Sequence, residues 1–292
     1  MKLTSPIDFI ETNHLIINKK YSTLMEQIGF DSFDSIYDHS SGDVIKKIKD
    51  KAVMRLEFQH ENIKHAFYLK RHDVKFAALA RLLSPFASRL RFSQGRLEFE
   101  NICSFRNCKF PTVVPVAAGE KFVRIFWAKS FLITEDFSPF VSLEELLVKQ
   151  PQLFMGPDGQ NRKEILLNSI ARLAREMHRQ GFNHLDFNAT HILLHYDNES
   201  SVPKIALFDF QRVDKRKFFR FRWKIKSLAR LNYSLPHEIF SEKDRMDLFL
   251  FYLNKKRLRS FDRLQWLWVK RKTARIKHHT DKILAKREAV NK

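Results

Sequence analysis

Two stretches decide the fold: Asn183-His184-Leu185-Asp186-Phe187-Asn188-Ala189-Thr190-His191-Ile192-Leu193-Leu194 and Ile205-Ala206-Leu207-Phe208-Asp209-Phe210-Gln211-Arg212. The first sets a polar cluster immediately before an apolar run of strand character. In the second, Asp209 closes a run of four apolar residues, a position where a carboxylate is aimed at something rather than buried. Together they read H-x-D-x-x-x-x-H and then, about 18 residues on, four apolar residues followed by Asp-Phe. Taken singly, Asp186 reads more readily as a cap for the following turn and His191 as a core histidine. Order, spacing and strand context together point to a working site.

Upstream, Phe67-Tyr68-Leu69-Lys70 ends an apolar strand on a lysine, and Glu98 falls on a helix expected over residues 97–105. A lysine in that position is ordinarily a surface residue with a buried stem. Joined to the other two segments, it completes the set that phosphoryl transfer requires: a carboxylate beside the acceptor hydroxyl, ligands for magnesium and a cation on the nucleotide phosphates. The pattern resembles the catalytic loop and metal-binding segment of protein-kinase-like enzymes, H-R-D-x-x-x-x-N and D-F-G. That resemblance implies that Asp186 orients and deprotonates the acceptor hydroxyl, His191 and Asp209 hold Mg²⁺, Lys70 pairs with the ATP phosphates and Glu98 holds Lys70.

The texture of the chain changes once. Residues 1–43 are mixed, with a short helix around 21–28, and read as an N-terminal extension. Strands are expected over 44–48, 52–58 and 65–72, with a polar turn at 49–51, and again over 112–116, 122–127 and 131–135. Thereafter helices dominate. Ser142 and Glu145 have capping-box spacing, and residues 155–161, with Gly156, Pro157 and Gly159, read as a loop. Leu166, Ile170, Leu173 and Met177 mark a helix over 162–180 that Gly181 stops. A strand over 204–209 and further helices follow. The expectation is an α+β, two-lobed chain: a β-rich N-lobe at 44–137, a helical C-lobe at 138–254, an ATP cleft between them, and a basic helical tail at 255–292.

From Val44 to Ser234 the chain resembles the lipopolysaccharide core kinases, the Kdo/heptose kinase family of Gram-negative bacteria. The resemblance rests on Phe67-Tyr68-Leu69-Lys70, Leu97-Glu98-Phe99-Glu100, Phe131-Leu132-Ile133-Thr134-Glu135-Asp136, Gly181-Phe182-Asn183-His184-Leu185-Asp186, His191-Ile192-Leu193-Leu194-His195, Phe208-Asp209-Phe210-Gln211-Arg212, Arg222-Trp223 and Leu228-Ala229-Arg230-Leu231. It implies a protein-kinase-like fold, ATP as donor, and a core sugar of a lipid A-linked glycolipid as acceptor. It also implies a hinge at 134–137, with Val44, Lys70, Glu135 and Phe137 around the nucleotide. Lys70 and His191 look like the heptose-kinase branch, while Asp186-Phe187-Asn188-Ala189 looks more like the Kdo-kinase branch; heptose is favoured.

Four positions depart from the kinase pattern. No G-x-G-x-x-G precedes Lys70, Leu185 replaces the Arg of H-R-D, Gln211 replaces the Gly of D-F-G, and Ser227 stands where some relatives carry an Asp. The loss of that Arg argues against a protein kinase regulated by loop phosphorylation.

Composition bounds the partners. The 292 residues carry 53 Lys+Arg against 33 Asp+Glu, a net charge of +20 that attracts polyanions. With 28 Phe and 44% hydrophobic residues the chain has ample core, and two cysteines make no disulfide framework. Asp8 and Glu11 interrupt any signal sequence, and the richest apolar run, residues 248–253, falls far short of the roughly 20 residues a bilayer span needs. The expectation is a cytoplasmic protein, peripheral on the inner face of the inner membrane. Residues 212–230 hold nine Lys/Arg against one Asp, and 255–292 hold fourteen against three acids, as suits an anionic membrane surface. The basic, apolar stretch 74–92 reads either as a second interfacial element or as a segment packed under the N-lobe. The rival is a non-catalytic basic protein that binds nucleic acid or membrane. It lacks an aromatic RNA-binding signature and has no need of Lys70, Asp186 and Asp209 together.

Overall fold

Strand alternation in the first half of the chain decides where the chemistry points. In the computed structural model, which describes residues 7–12, 14–75, 93–124, 127–197, 202–215 and 220–290, the chain divides into two units. The first comprises Met1–Ser138 with Asp209–Gln211, and the second Pro139–Phe208 with Arg212–Lys292. The first unit contains β1 (Phe9–Thr12), β2 (Leu15–Asn18), α1 (Ser22–Gln27), α2 (Phe33–Tyr37), β3 (Asp43–Ile48), β4 (Lys51–His60), β5 (Ile63–Lys75), α3 (Gln94–Asn107), β6 (Pro115–Arg124) and β7 (Trp127–Glu135). Its seven strands form one antiparallel sheet in the order β1-β2-β6-β7-β5-β4-β3.

Successive side chains on a strand face opposite ways. Phe67 and Leu69 of β5 therefore enter a core with Met54, Leu56, Phe131 and Ile133, covered by Met25, Phe30, Phe33 and Ile36. Lys70 and His72 face the other side, where α3 lies. Gly95 lets α3 come close: a Cβ there would sit 2.6 Å from the Phe131 carbonyl oxygen. The β4–β5 hairpin turns on Glu61 and Asn62, both with positive φ (48° and 60°), as a two-residue turn of the primed type requires.

Several expectations are corrected here. The first 43 residues do not stand apart as an extension; β1 and β2 extend the sheet from β6, and α1 and α2 cover its core. Three strands expected over 112–135 are two long ones. The small residues Ala117, Ala118 and Gly119, which carry little strand propensity, pack tightly there; a Cβ on Gly119 would meet the Phe131 ring at 2.5 Å. Lys70 does not end its strand, which runs on to Lys75. Of the expected interfacial element at 74–92, residues 76–92 lie outside the described residues.

The second unit contains β8 (Val141–Ser142), α4 (Leu143–Lys149), α5 (Gly156–Arg179), β9 (Phe182–His184), β10 (Ile192–His195), β11 (Lys204–Leu207), β12 (Val213–Lys215), α6 (Arg220–Ser234), α7 (Glu242–Leu253) and α8 (Ser260–Val290). Ser142 caps α4 by accepting from the Glu145 amide at 3.0 Å. The expected loop at 155–161 is instead the first turns of α5. Gly156, at φ +69°, makes the entry, Pro157 occupies the first turn where no donor is needed, and Gly159 packs on the Phe154 backbone. Two small antiparallel sheets, β8-β10-β11 and β9-β12, pair the short strands of this unit.

Two buried histidines, one in each unit, set an acid limit. Burial, reinforced at His72 by Lys51 and Lys70 and at His178 by Lys224, pushes both imidazoles down to about 3 from the usual 6.5. Below pH 6.5 the unfolded chain binds protons that the folded chain refuses. Stability is therefore expected to fall as pH drops from 6.5 towards 3, by up to about 1.4 kcal/mol per pH unit for each histidine. Urea midpoints measured between pH 7 and pH 4.5 check this, and a flat profile would refute it.

Candidate active site

In the first unit α3 acts as a clamp. Lys70 Nζ donates to Glu98 Oε1 at 2.7 Å and lies 3.5 Å from Asp209 Oδ1. The same Glu98 oxygen accepts the Phe210 amide at 3.2 Å, and Asn101, one turn further on, donates to the Phe210 carbonyl at 2.9 Å. Phe210 is fully buried, its ring 4.9 Å from that of Phe105. One helix face thus holds both the lysine and the Asp-Phe segment. Asp209 has φ +60°, a left-handed conformation that Asp and Asn tolerate better than other side chains. Burial opposes the charge on Lys70, but Glu98 and Asp209 outweigh it and raise its pKa. The second Glu98 oxygen, Oε2, is buried and has no hydrogen-bond partner among the described residues.

In the second unit the loop after β9 is tied by its own backbone. The Asp186 amide donates to His184 Nδ1 at 3.2 Å, which leaves His184 Nε2 to donate to the Phe208 carbonyl, also at 3.2 Å. Leu185 N donates to Arg212 O at 2.9 Å. His191 Nδ1 donates to the Asp186 carbonyl at 2.8 Å, so the lone pair of that ring is on Nε2. Asn188 caps the short turn at Ala189–His191 by accepting the His191 amide. The Asp186 carboxylate is gripped by two guanidinium groups, Arg212 at 2.9 Å and Arg230.

A sequence model of the lipopolysaccharide kinase (Kdo/WaaP) family matches residues 39–252, most of the chain. The chain belongs to this family. It is thus a kinase that phosphorylates a sugar hydroxyl. The lipopolysaccharide core heptose(I) kinase WaaP of Escherichia coli is 26% identical over 231 residues, covering 78% of this kinase and 83% of the relative. WaaP of Pseudomonas aeruginosa is 25% identical over 244 residues, covering 82% and 87%. A solved structure of WaaP in complex with acyl carrier protein shares the fold, with a TM-score of 0.68 at 24% identity over 89% of this kinase and 98% of that chain.

The structure of the kinase brings Lys70, Glu98 and Asp209 together and places Asp186 and His191 on one loop; the sequence reading paired Lys70 with Glu98 but set Asp209 with His191. At the expected hinge segment, Glu135 ends β7; its amide donates to Val114 O at 2.9 Å, and its carboxylate accepts from Lys20 and the Tyr21 hydroxyl. Phe137 stacks on Tyr68 with ring centres 5.0 Å apart. Val44 stands on β3 with its side chain exposed. Ser227 Oγ is buried and has no hydrogen-bond partner among the described residues, so there it does none of the buttressing an Asp would do.

Four residues around these groups escape the sequence reading. Asn101 had a legible signal, because it lies three residues after Glu98 on one helix face. Arg212 and Arg230 were lost among the nine basic residues of 212–230, and Lys51 was read only as part of a turn.

Proposed function

We propose that this kinase transfers the γ-phosphate of ATP to a heptose hydroxyl of the lipopolysaccharide inner core, working at the cytoplasmic face of the inner membrane. The observation that carries this reading is the Lys70–Glu98 pair reaching Asp209. Lys70, kept charged, binds the nucleotide phosphates, and Glu98 fixes its position. Glu135 and Phe137 at the hinge and Val44 on β3 line the nucleotide base.

Asp209 is an oxygen donor of the kind Mg²⁺ takes, and it is partly open to solvent, so it fits the metal. Bound Mg²⁺ would neutralise charge developing on the phosphates. His191 offers a nitrogen, which Mg²⁺ takes reluctantly. Its bond to the Asp186 carbonyl makes support of the loop its stronger role and a metal contact the weaker one. Asp186 accepts the proton of the acceptor hydroxyl, with Arg212 and Arg230 orienting its carboxylate. Heptose is favoured over Kdo because the curated relatives above are heptose(I) kinases.

Helix α8 supports a membrane-surface role. Trp266 and Val269 on one face are buried, whereas Phe261, Leu264 and Leu267 are 59%, 41% and 38% exposed. Phe261, Leu264, Trp268, Lys272 and Arg275 recur at helical spacing on one side, an apolar stripe that continues into cations. With Phe221 and Lys226 of α6, several of them line a groove of about 410 Å³. Each basic residue near an anionic surface adds roughly 1 kcal/mol of attraction. Among the described residues no helix is long and apolar enough to cross a membrane.

The test is transfer of labelled γ-phosphate to deep-core lipopolysaccharide that lacks its native phosphate, presented in vesicles with and without anionic phospholipid. Label on heptose, faster with anionic vesicles and slowed by salt, is expected. Label on Kdo would move the acceptor, equal rates on both vesicles would remove the membrane role, and no label would remove the proposed activity.

A further inference from the structure

Two of the sequence departures noted above meet in one hydrogen bond. Lys51 opens β4 directly after the two-residue turn Lys49-Asp50, where protein kinases carry a glycine-rich loop. Gln211 stands in place of the glycine of D-F-G. Lys51 Nζ donates to Gln211 Oε1 at 3.1 Å, and Gln211 Nε2 donates to His72 Nε2 at 3.0 Å. The arrangement is self-consistent: His72, held neutral, has an acceptor nitrogen to offer, which turns the amide oxygen of Gln211 towards the lysine.

Strand register puts Lys51 on the working face. Lys51 pairs with His72, and Val53 with Lys70, across the antiparallel β4–β5 ladder, so Lys51 projects on the same side as Lys70. Burial lowers its pKa, while Asp209 raises it and Lys70 lowers it further, so its ammonium feels both members of the site. Lys70 has two carboxylates nearby. Among the described residues Lys51 forms no ion pair, and its acceptor is a neutral amide. A half-buried ammonium held only by an amide is a charge waiting for an anion.

We propose that Lys51 is a second cation for the β- and γ-phosphates of the nucleotide, taking over the cover that a glycine-rich loop supplies in protein kinases, with Gln211 as its positioning residue. This rests on the kinase reading of Lys70 and Asp209. A two-residue turn has too few backbone N–H groups to wrap a triphosphate, and a point charge on a strand needs no wrapping. The same bond explains the polar residue at 211. A glycine there would leave Lys51 without its acceptor.

Calorimetric titration of Mg·ATP and of AMP into wild type, Lys51→Ala, Lys51→Arg and Gln211→Ala separates the possibilities. Lys51→Ala is expected to weaken ATP about 10- to 100-fold with AMP unchanged, because only ATP carries the phosphates concerned. Lys51→Arg should restore most of the loss, and Gln211→Ala should reproduce a smaller part of it. Equal weakening of ATP and AMP would make Lys51 structural, and unchanged ATP affinity in Lys51→Ala would overturn the proposal. If folded wild type bound AMP but gained nothing from the extra phosphates, the phosphate roles of both lysines would fall. If it bound neither nucleotide, the kinase reading itself would fail first.

Discussion

Asp186→Ala is expected to lower phosphate transfer by about 10³-fold or more while the protein stays folded and still binds Mg·ATP. The geometry separates the two effects. The carboxylate contributes nothing to the fold of its own loop, which is held by the Asp186 amide on His184, the Leu185 amide on Arg212 O and the His191 ring on the Asp186 carbonyl. All three bonds use backbone atoms or side chains that the substitution leaves in place. Among the described residues the carboxylate binds only Arg212 and Arg230, whose side chains are 49% and 25% exposed and can be hydrated once it is gone. Partly exposed ion pairs of this kind contribute about 0–1 kcal/mol, so the melting temperature should move by only a few degrees. Transfer, calorimetric ATP binding and thermal unfolding measured on one preparation check all three parts. Retained transfer would remove Asp186 from the chemistry, and a collapsed melting temperature would make it structural.

The second large effect is expected at Asp209. Asparagine is the informative replacement, because it tolerates the φ of +60° and removes only the charge, whereas alanine would add backbone strain of about 1–2 kcal/mol. In Asp209→Asn, Mg²⁺ should no longer strengthen ATP binding, and transfer should fall by at least about 10³-fold. Metal-free nucleotide should bind nearly as before. Lys70 keeps Glu98 at 2.7 Å, and the Phe210 amide and carbonyl keep Glu98 and Asn101. ATP titrations with Mg²⁺ and with EDTA read this directly. An unchanged gain from Mg²⁺ would take the metal away from Asp209.

In the proposed mechanism, Arg212 and Arg230 alter how Asp186 acts. A carboxylate already holding two guanidinium groups is a well-oriented acceptor first and a base second. That is sufficient for phosphoryl transfer, in which positioning and charge stabilisation carry most of the catalysis. The carboxylate takes its orientation from arginines within its own unit, and the H-R-D arginine is replaced by Leu185.

The candidate site was legible in the sequence because its pattern is local. Asp186, His191 and Asp209 lie at short, fixed distances along the chain, and strand ends advertise themselves by four apolar residues running into a charge. The helix stopped by Gly181 and the cap at Ser142 were legible for the same reason, since a few adjacent residues set them. Residues 9–18 as sheet strands were not. Short and mixed in character, they gain their conformation from β6, about 100 residues further on. The strand through Ala117, Ala118 and Gly119 was missed because close packing against Phe131, rather than propensity, makes it a strand.

The sequence by itself determined the class of chemistry and the excess of positive charge, and it singled out Lys70, Glu98, Asp186 and Asp209 as candidates. Only the tertiary structure decided what surrounds them. Cross-strand register turned Lys51 to the face of Lys70, a helix turn joined Asn101 to Glu98, and two arginines out of a basic run closed on Asp186. Such partners are set by non-local contacts whose sequence separation has no fixed value. A one-residue shift in register would have turned Lys51 to the opposite face without changing a single letter of the motif.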